Sequence, residues 1–125
     1  MYKKLLDLQK KSYAPYSNFS VAAIVVASGK EYNGVNIENA AYPVGICAER
    51  VAASNSIMDG NKKIDSIHLL TQTIDFGMPC GMCRQFLSEF MEDDSVFYIY
   101  NKKGDCKAIN MKDILPHRFT KKDLC

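Results

Sequence analysis

Cys47-Ala48-Glu49-Arg50 and, further along, Pro79-Cys80-Gly81-Met82-Cys83 decide how this chain is read. Each stretch opens a helical pattern just after loop-forming residues, and between the two helices lies an apolar run, Ile64 to Thr71. The second stretch places two thiols at the spacing at which neighbouring sulfurs grip one metal ion, and the first adds a thiol two residues before a carboxylate. Structural thiolate sites normally close their tetrahedron with four protein ligands, whereas catalytic sites use three and leave the last position to water. Three soft ligands, Cys47, Cys80 and Cys83, beside the acid Glu49 therefore point to chemistry.

Outward from these stretches, Tyr2 to Ser12 carries a helical stripe through Leu5, Leu6 and Leu8, ended by the loop around Pro15. Ser20 to Ala27 is short and rich in Val, Ala and Ile and is expected to be a buried strand. After the turn Ser28-Gly29-Lys30 it returns as Glu31 to Ile37, a hairpin. Asn39 to Gly45 is expected to be loop. Helices are expected over Cys47 to Asp59 and Cys80 to Met91, and strands over Ile64 to Thr71, Ser95 to Asn101 and Cys106 to Asn110. A helical turn over Met111 to Leu115 is ended by Pro116. This order predicts an α/β fold in three α/β/α layers, built on a single mixed five-stranded sheet in one domain over residues 1–125. Cys47 and Cys80 each fall at a helix N-terminus, where unpaired N–H groups and the helix dipole favour thiolate over thiol.

The chain has 125 residues, a net charge of +2 and 47% hydrophobic residues, ordinary values for one domain with a real core. With basic residues only in isolated pairs, it offers no field for a phosphate backbone, and a nucleic-acid partner is not expected. Met1 to Ser12 lacks the apolar core of a signal peptide, and the longest apolar run, Val21 to Ala27, falls well short of the ~20 residues a membrane-spanning helix needs. A cytoplasmic protein without a membrane partner is expected. Its five cysteines, three in metal-type spacing, fit a reducing compartment better than a disulfide framework.

Four motifs in one order carry a resemblance: Tyr13-Ala14-Pro15-Tyr16-Ser17-Asn18-Phe19, Asn36-Ile37-Glu38-Asn39-Ala40-Ala41-Tyr42, Cys47-Ala48-Glu49-Arg50 and Pro79-Cys80-Gly81-Met82-Cys83-Arg84-Gln85. From about Tyr13 to Phe119 the chain resembles the small zinc-dependent cytidine deaminases of pyrimidine salvage, whose Cys-x-Glu and Pro-Cys-x-x-Cys signature is general to zinc deaminases acting on nucleobases. The resemblance implies Zn2+ on Cys47, Cys80 and Cys83, with Glu49 as general acid and base; because three thiolates carry more negative charge than the dication neutralises, Arg50 is expected to donate to the sulfurs. It implies that Asn36 and Glu38 bind ribose hydroxyls, that Phe19 packs on the pyrimidine and that the backbone of Ala48 touches the base. Tyr42 and Phe119 match aromatics near the pocket and the subunit contacts of a homotetramer with shared sites. Met82, where Ala is common, Val51, where Thr is common, and the loop Thr73 to Met78 depart from the family pattern.

The expected activity is hydrolytic deamination of cytidine and 2'-deoxycytidine, with a cytosine-bearing antibiotic or other modified nucleoside as the alternative substrate. A non-catalytic zinc-stabilised binding module is the alternative from another class, and it requires a fourth protein ligand such as Cys106 or His117. His68 is expected to be a satisfied core histidine and His117 a surface residue. Cys106 and Cys125 are expected to be ordinary thiols, and Lys121 to Cys125 a solvated end.

Overall fold

The computed structural model describes residues 1–124, so the expectation for the Cys125 thiol lies outside the described residues. Five strands form one sheet in the order β2-β1-β3-β4-β5, with β1 Ala22–Ala27, β2 Lys30–Val35, β3 Ile64–Leu70, β4 Met91–Tyr100 and β5 Cys106–Asn110. Only β3 and β4 run parallel. Parallel neighbours need a crossover rather than a tight turn, and here the connection carries α3, Gly81–Ser88. The β1–β2 hairpin turns on Ser28 and Gly29, both at positive φ (53° and 76°), the geometry of a two-residue turn matched to strand twist.

Strand alternation divides the apolar residues between two faces. Ala22, Ile24, Leu70 and Tyr100 gather under Leu5 of helix α1, Tyr2–Gln9. Ala23, Val25, Ile67, Leu69, Phe97 and Ile99 face the opposite way. They pack against Ala48, Ala52 and Ala53 of α2 (Ala48–Met58), Leu87 of α3, and Met111 and Ile114 of α4 (Met111–Ile114). The result is the three-layer α/β/α arrangement on a mixed five-stranded sheet that the sequence predicts. No helix among the described residues is long and apolar enough to cross a membrane.

Gly34 sets how closely α2 lies on the sheet. A Cβ at this position would sit 2.3 Å from the Ala48 carbonyl oxygen and 2.4 Å from the Ala52 amide nitrogen, both backbone atoms of α2. Only glycine lets the helix bearing Glu49 and Arg50 approach so near.

Local expectations are corrected at α3, at β4 and at two short turns. Helix α3 stops at Ser88 rather than running to Met91, and β4 starts at Met91 rather than Ser95. Met91 is buried beside Ile64, after which the register shifts and Glu92 to Asp94 loop outward. Ser95 Oγ fills the gap, donating to the Ile64 carbonyl (3.0 Å) and accepting the Glu92 amide (3.0 Å). Within the loop expected at Asn39 to Gly45, Tyr42–Val44 winds into a 3-10 turn, and Lys121–Leu124 does so in the expected solvated tail, which remains exposed. His68 meets its expectation: its Nδ1 lies 2.9 Å from the Tyr100 hydroxyl and its ring stacks on Tyr98 at 4.7 Å.

Replacing Gly34 by Ala forces α2 outward, at a cost of about 2–3 kcal/mol for overpacking against backbone. Urea denaturation of G34A checks this, and a midpoint equal to the parent's would remove the close-approach role.

Candidate metal centre and active site

Cys47 is the N-cap of α2 and Cys80 the N-cap of α3, both with extended backbone that turns the chain into its helix. Cys83 follows one turn into α3, where Cys80 Sγ accepts its backbone N–H at 3.4 Å. The two helix starts meet. Sulfurs of Cys47 and Cys80 lie 4.0 Å apart, and all three sulfurs fall within 4.8 Å of one another. An ion bound tetrahedrally at ~2.3 Å from each sulfur would separate them by about 3.8 Å. The spacing therefore fits one zinc ion, with the fourth corner left to a non-protein ligand. Among the described residues no His, Cys, Asp or Glu beyond these three joins the group, so neither Cys106 nor His117 closes the tetrahedron. The binding-module alternative lacks the fourth ligand it requires.

Electrostatics lead to the same ion. A hydrogen bond from Cys83, and then one from Arg50, bring the Cys47 thiol down to about 5 against the effect of burial. The same Cys83–Cys47 bond, together with burial, pushes the Cys83 thiol far up. Arg50 Nη2 lies 3.8 Å from Cys47 Sγ, while its buried Nε has no acceptor among the described residues. Glu49, in the first turn of α2, is only 4% exposed. Burial first, with the Cys47 charge adding to it, pushes its carboxyl up to about 7, against its backbone hydrogen bond, Cys83 and Arg50. Three sulfurs and a buried carboxyl cannot all be ionised here with only one guanidinium to balance them, and a soft dication is the group that would resolve the excess.

A cleft of about 520 Å³ opens beside the sulfurs, a volume within the range of small-molecule sites. Cys47, Cys80, Arg50 and Met82 line it together with Tyr16, Ser17, Asn36, Glu38 and Tyr42. The chain between Glu38 and Cys47 is pinched shut by paired backbone bonds between Ile37 and Ile46 (3.0 and 2.9 Å), which brings Asn36 and Glu38 into one cleft with Cys47 and Arg50. Phe19, Ala48, Glu49, Cys83 and Phe119 are not among the residues lining it, Glu49 and Cys83 being buried. Ala48 is buried against the sheet. Phe119 is tied through its backbone to Gln85 (2.9 and 3.2 Å) and borders a separate hollow with Arg118 and Lys122.

The sequence reading missed the residues that hold the two grips. The Asn36 side chain accepts the Val21 amide (2.9 Å) and the Ser12 hydroxyl, and donates to the Phe19 carbonyl (2.8 Å). Glu38 accepts the amides of Tyr16 (3.0 Å) and Ser17 (3.1 Å) and the Ser17 hydroxyl, and these bonds, the hydroxyl's first, hold its carboxyl below the usual range. The only available signal was the order of the Tyr13 to Phe19 motif, which carries no contact information by itself.

Comparison with known proteins agrees with this geometry. Residues 1–99 match the family described as the cytidine and deoxycytidylate deaminase zinc-binding region. Cytidine deaminase of Sporosarcina psychrophila is 38% identical over 127 residues, covering 98% of this chain and 93% of that protein. Cytidine deaminase of Mycoplasma genitalium is 36% identical over 120 residues, covering 95% and 92%. The crystal structure of cytidine deaminase from Burkholderia pseudomallei superposes with a TM-score of 0.88 at 34% identity, over 94% of each chain.

Elemental analysis of the purified protein is expected to find about one zinc per chain. Replacing Cys83 by Ser should weaken zinc retention by more than roughly a hundredfold, the upper end of what loss of a merely supporting contact does. Full zinc content in C83S would contradict the three-sulfur site.

Proposed function

This chain belongs to the cytidine and deoxycytidylate deaminase family, and from that membership we propose that it converts cytidine and 2'-deoxycytidine to the corresponding uridines by zinc-dependent hydrolysis, releasing ammonia. The observation that carries the proposal is three sulfurs within 4.8 Å of one another, one of them two residues from a buried carboxyl.

Cys47, Cys80 and Cys83 would hold Zn2+, whose Lewis acidity makes a water molecule nucleophilic near neutral pH. Glu49 moves the protons. Its carboxylate takes one from the attacking water as the C4–O bond forms and delivers it to ring N3. It then carries a proton from the new C4 hydroxyl to the exocyclic nitrogen, the C4–N bond breaks, and ammonia leaves. A group that must both accept and donate works best with its pKa near working pH, and burial provides that for Glu49. Arg50 offsets the sulfur charge from one side. Glu38, kept ionised by its three donors, accepts from a ribose hydroxyl, and Asn36 reads the sugar beside it. Family membership, rather than the lining of the cleft, supports Phe19 packing on the pyrimidine and the Ala48 backbone meeting its edge.

Around the cleft mouth, Tyr42 is 73% exposed and Met82 64% exposed, with Val44 and Ile37 also open to solvent. An apolar rim of this kind at a substrate cleft suits subunit contact. The proposed assembly is a homotetramer in which Tyr42 and Phe119 serve sites shared between chains. The proposed setting is pyrimidine salvage in the cytoplasm.

Following the ultraviolet absorbance of cytidine tests the activity: turnover should vanish on chelation and return with zinc. Glu49→Gln should lose about a hundred- to ten-thousand-fold in kcat while keeping its zinc, and ordinary turnover in E49Q would overturn the assignment. Light scattering should give the mass of four chains, and a monomer at micromolar concentration would contradict shared sites.

A further inference from the structure

The Tyr13–Phe19 segment runs beside β2's extension, with Tyr13 N–H on the Asn36 carbonyl (3.0 Å) and Glu38 N–H on the Tyr13 carbonyl (2.8 Å). It then reverses at Asn18, which sits at a φ of 56°. The reversal aims consecutive groups of Tyr16 and Ser17 at one carboxylate. Glu38 Oε1 receives both backbone amides, whereas Oε2 receives the Ser17 hydroxyl. That hydroxyl also accepts the Phe19 amide at 3.0 Å. The Phe19 carbonyl is bound in turn by Asn36 Nδ2. Asn36, Phe19, Ser17 and Glu38 are thus linked by a continuous run of hydrogen bonds, and Ser17 is the only side-chain hydroxyl in it that touches Glu38.

We propose that Ser17 is a positioning residue for substrate recognition: its hydroxyl, donating to Glu38 Oε2 while accepting the Phe19 amide, fixes the orientation in which the carboxylate meets the sugar. The inference rests on the assignment of Glu38 to a ribose hydroxyl and goes beyond it. Two backbone amides anchor one oxygen only, so without Ser17 the carboxylate can turn about that anchor and Oε2 must be reoriented each time substrate binds. A carboxylate positioned beforehand discriminates a hydroxyl from its absence, and a loosely held one does so less well. Ser17 spends its single proton on Glu38. It is therefore no donor to substrate, and its effect acts through Glu38.

Steady-state kinetics of Ser17→Ala and Ser17→Thr on cytidine and on 2',3'-dideoxycytidine, which lacks the 2'- and 3'-hydroxyls, test this. Loss of a charge-assisted hydrogen bond predicts that the preference of S17A for cytidine over the dideoxy analogue, as a kcat/KM ratio, shrinks by about tenfold. The change should lie in KM for cytidine more than in kcat, with zinc content retained, and S17T should restore most of the preference. An equal loss on both substrates, a loss confined to kcat, or S17T behaving as S17A would overturn the proposal. Should S17A not fold, Ser17→Cys, similar in size and a poor donor, carries the same comparison. Glu38→Ala separates the two levels. If E38A raises the cytidine KM while S17A does not, the Ser17 assignment alone fails. If E38A keeps the parent's KM, the sugar-binding role of Glu38 fails and the Ser17 proposal with it.

Discussion

Charge crowded at two helix N-termini is the constraint on which the rest of this structure depends. Sulfurs of Cys47, Cys80 and Cys83 share a space less than 5 Å across, with the Glu49 carboxyl buried in the adjacent turn. Such a group is unfavourable unless cations and dipoles balance it. Arg50 and the unpaired N–H groups of α2 and α3 supply part of the balance, and a bound dication supplies the rest. Each helix start is fixed by a separate device. Gly34 lets α2 settle on β2 at a distance no side chain would allow, and Arg84 spans from the Pro79 carbonyl to that of Ile114 (2.9 Å each), holding the turn that enters α3 against α4.

Recognition is built differently. The groups proposed to meet the sugar, Asn36 and Glu38, come from irregular backbone that two pinches draw together, Ile37 to Ile46 and Tyr13 to Ile37. Their carboxylate and amide are satisfied within the chain before substrate arrives, so the groups arrive at the encounter already oriented and little ordering cost is left for binding. The sulfurs and Glu49 thus stand at the starts of helices packed to a sheet, and the groups proposed for selectivity stand on loops, a division that lets one scaffold keep its chemistry while its loops set the substrate.

Legibility in the sequence followed the range of the interactions. Cys-x-x-Cys and Cys-x-Glu are local patterns, and both the metal cluster and the acid beside it were readable because a helix start converts sequence spacing directly into geometry. The short apolar run of Val, Ala and Ile over β1 and the helical stripes were local patterns too, and their order gave the layers. The start of β4 was obscure: Met91 continues the apolar spacing of Phe86, Leu87 and Phe90, and the acidic Glu92 to Asp94 looks like a helix end rather than a bulge inside a strand. The supports of Asn36 and Glu38 were invisible because they come from Ser12, Tyr16 and Ser17, distant in sequence and acting partly through backbone amides that no side-chain pattern encodes. Phe119, matched by family pattern alone, lies beside a different hollow within its own chain.

The central claim is a metal centre with three protein sulfurs and one open corner. X-ray absorption at the zinc edge of the purified protein tests it most directly, because it counts ligands by type without depending on turnover. The account predicts three sulfurs at ~2.3 Å and one lighter ligand, oxygen or nitrogen, at ~2.0 Å. Four sulfurs, or a shell with fewer than three, would contradict it.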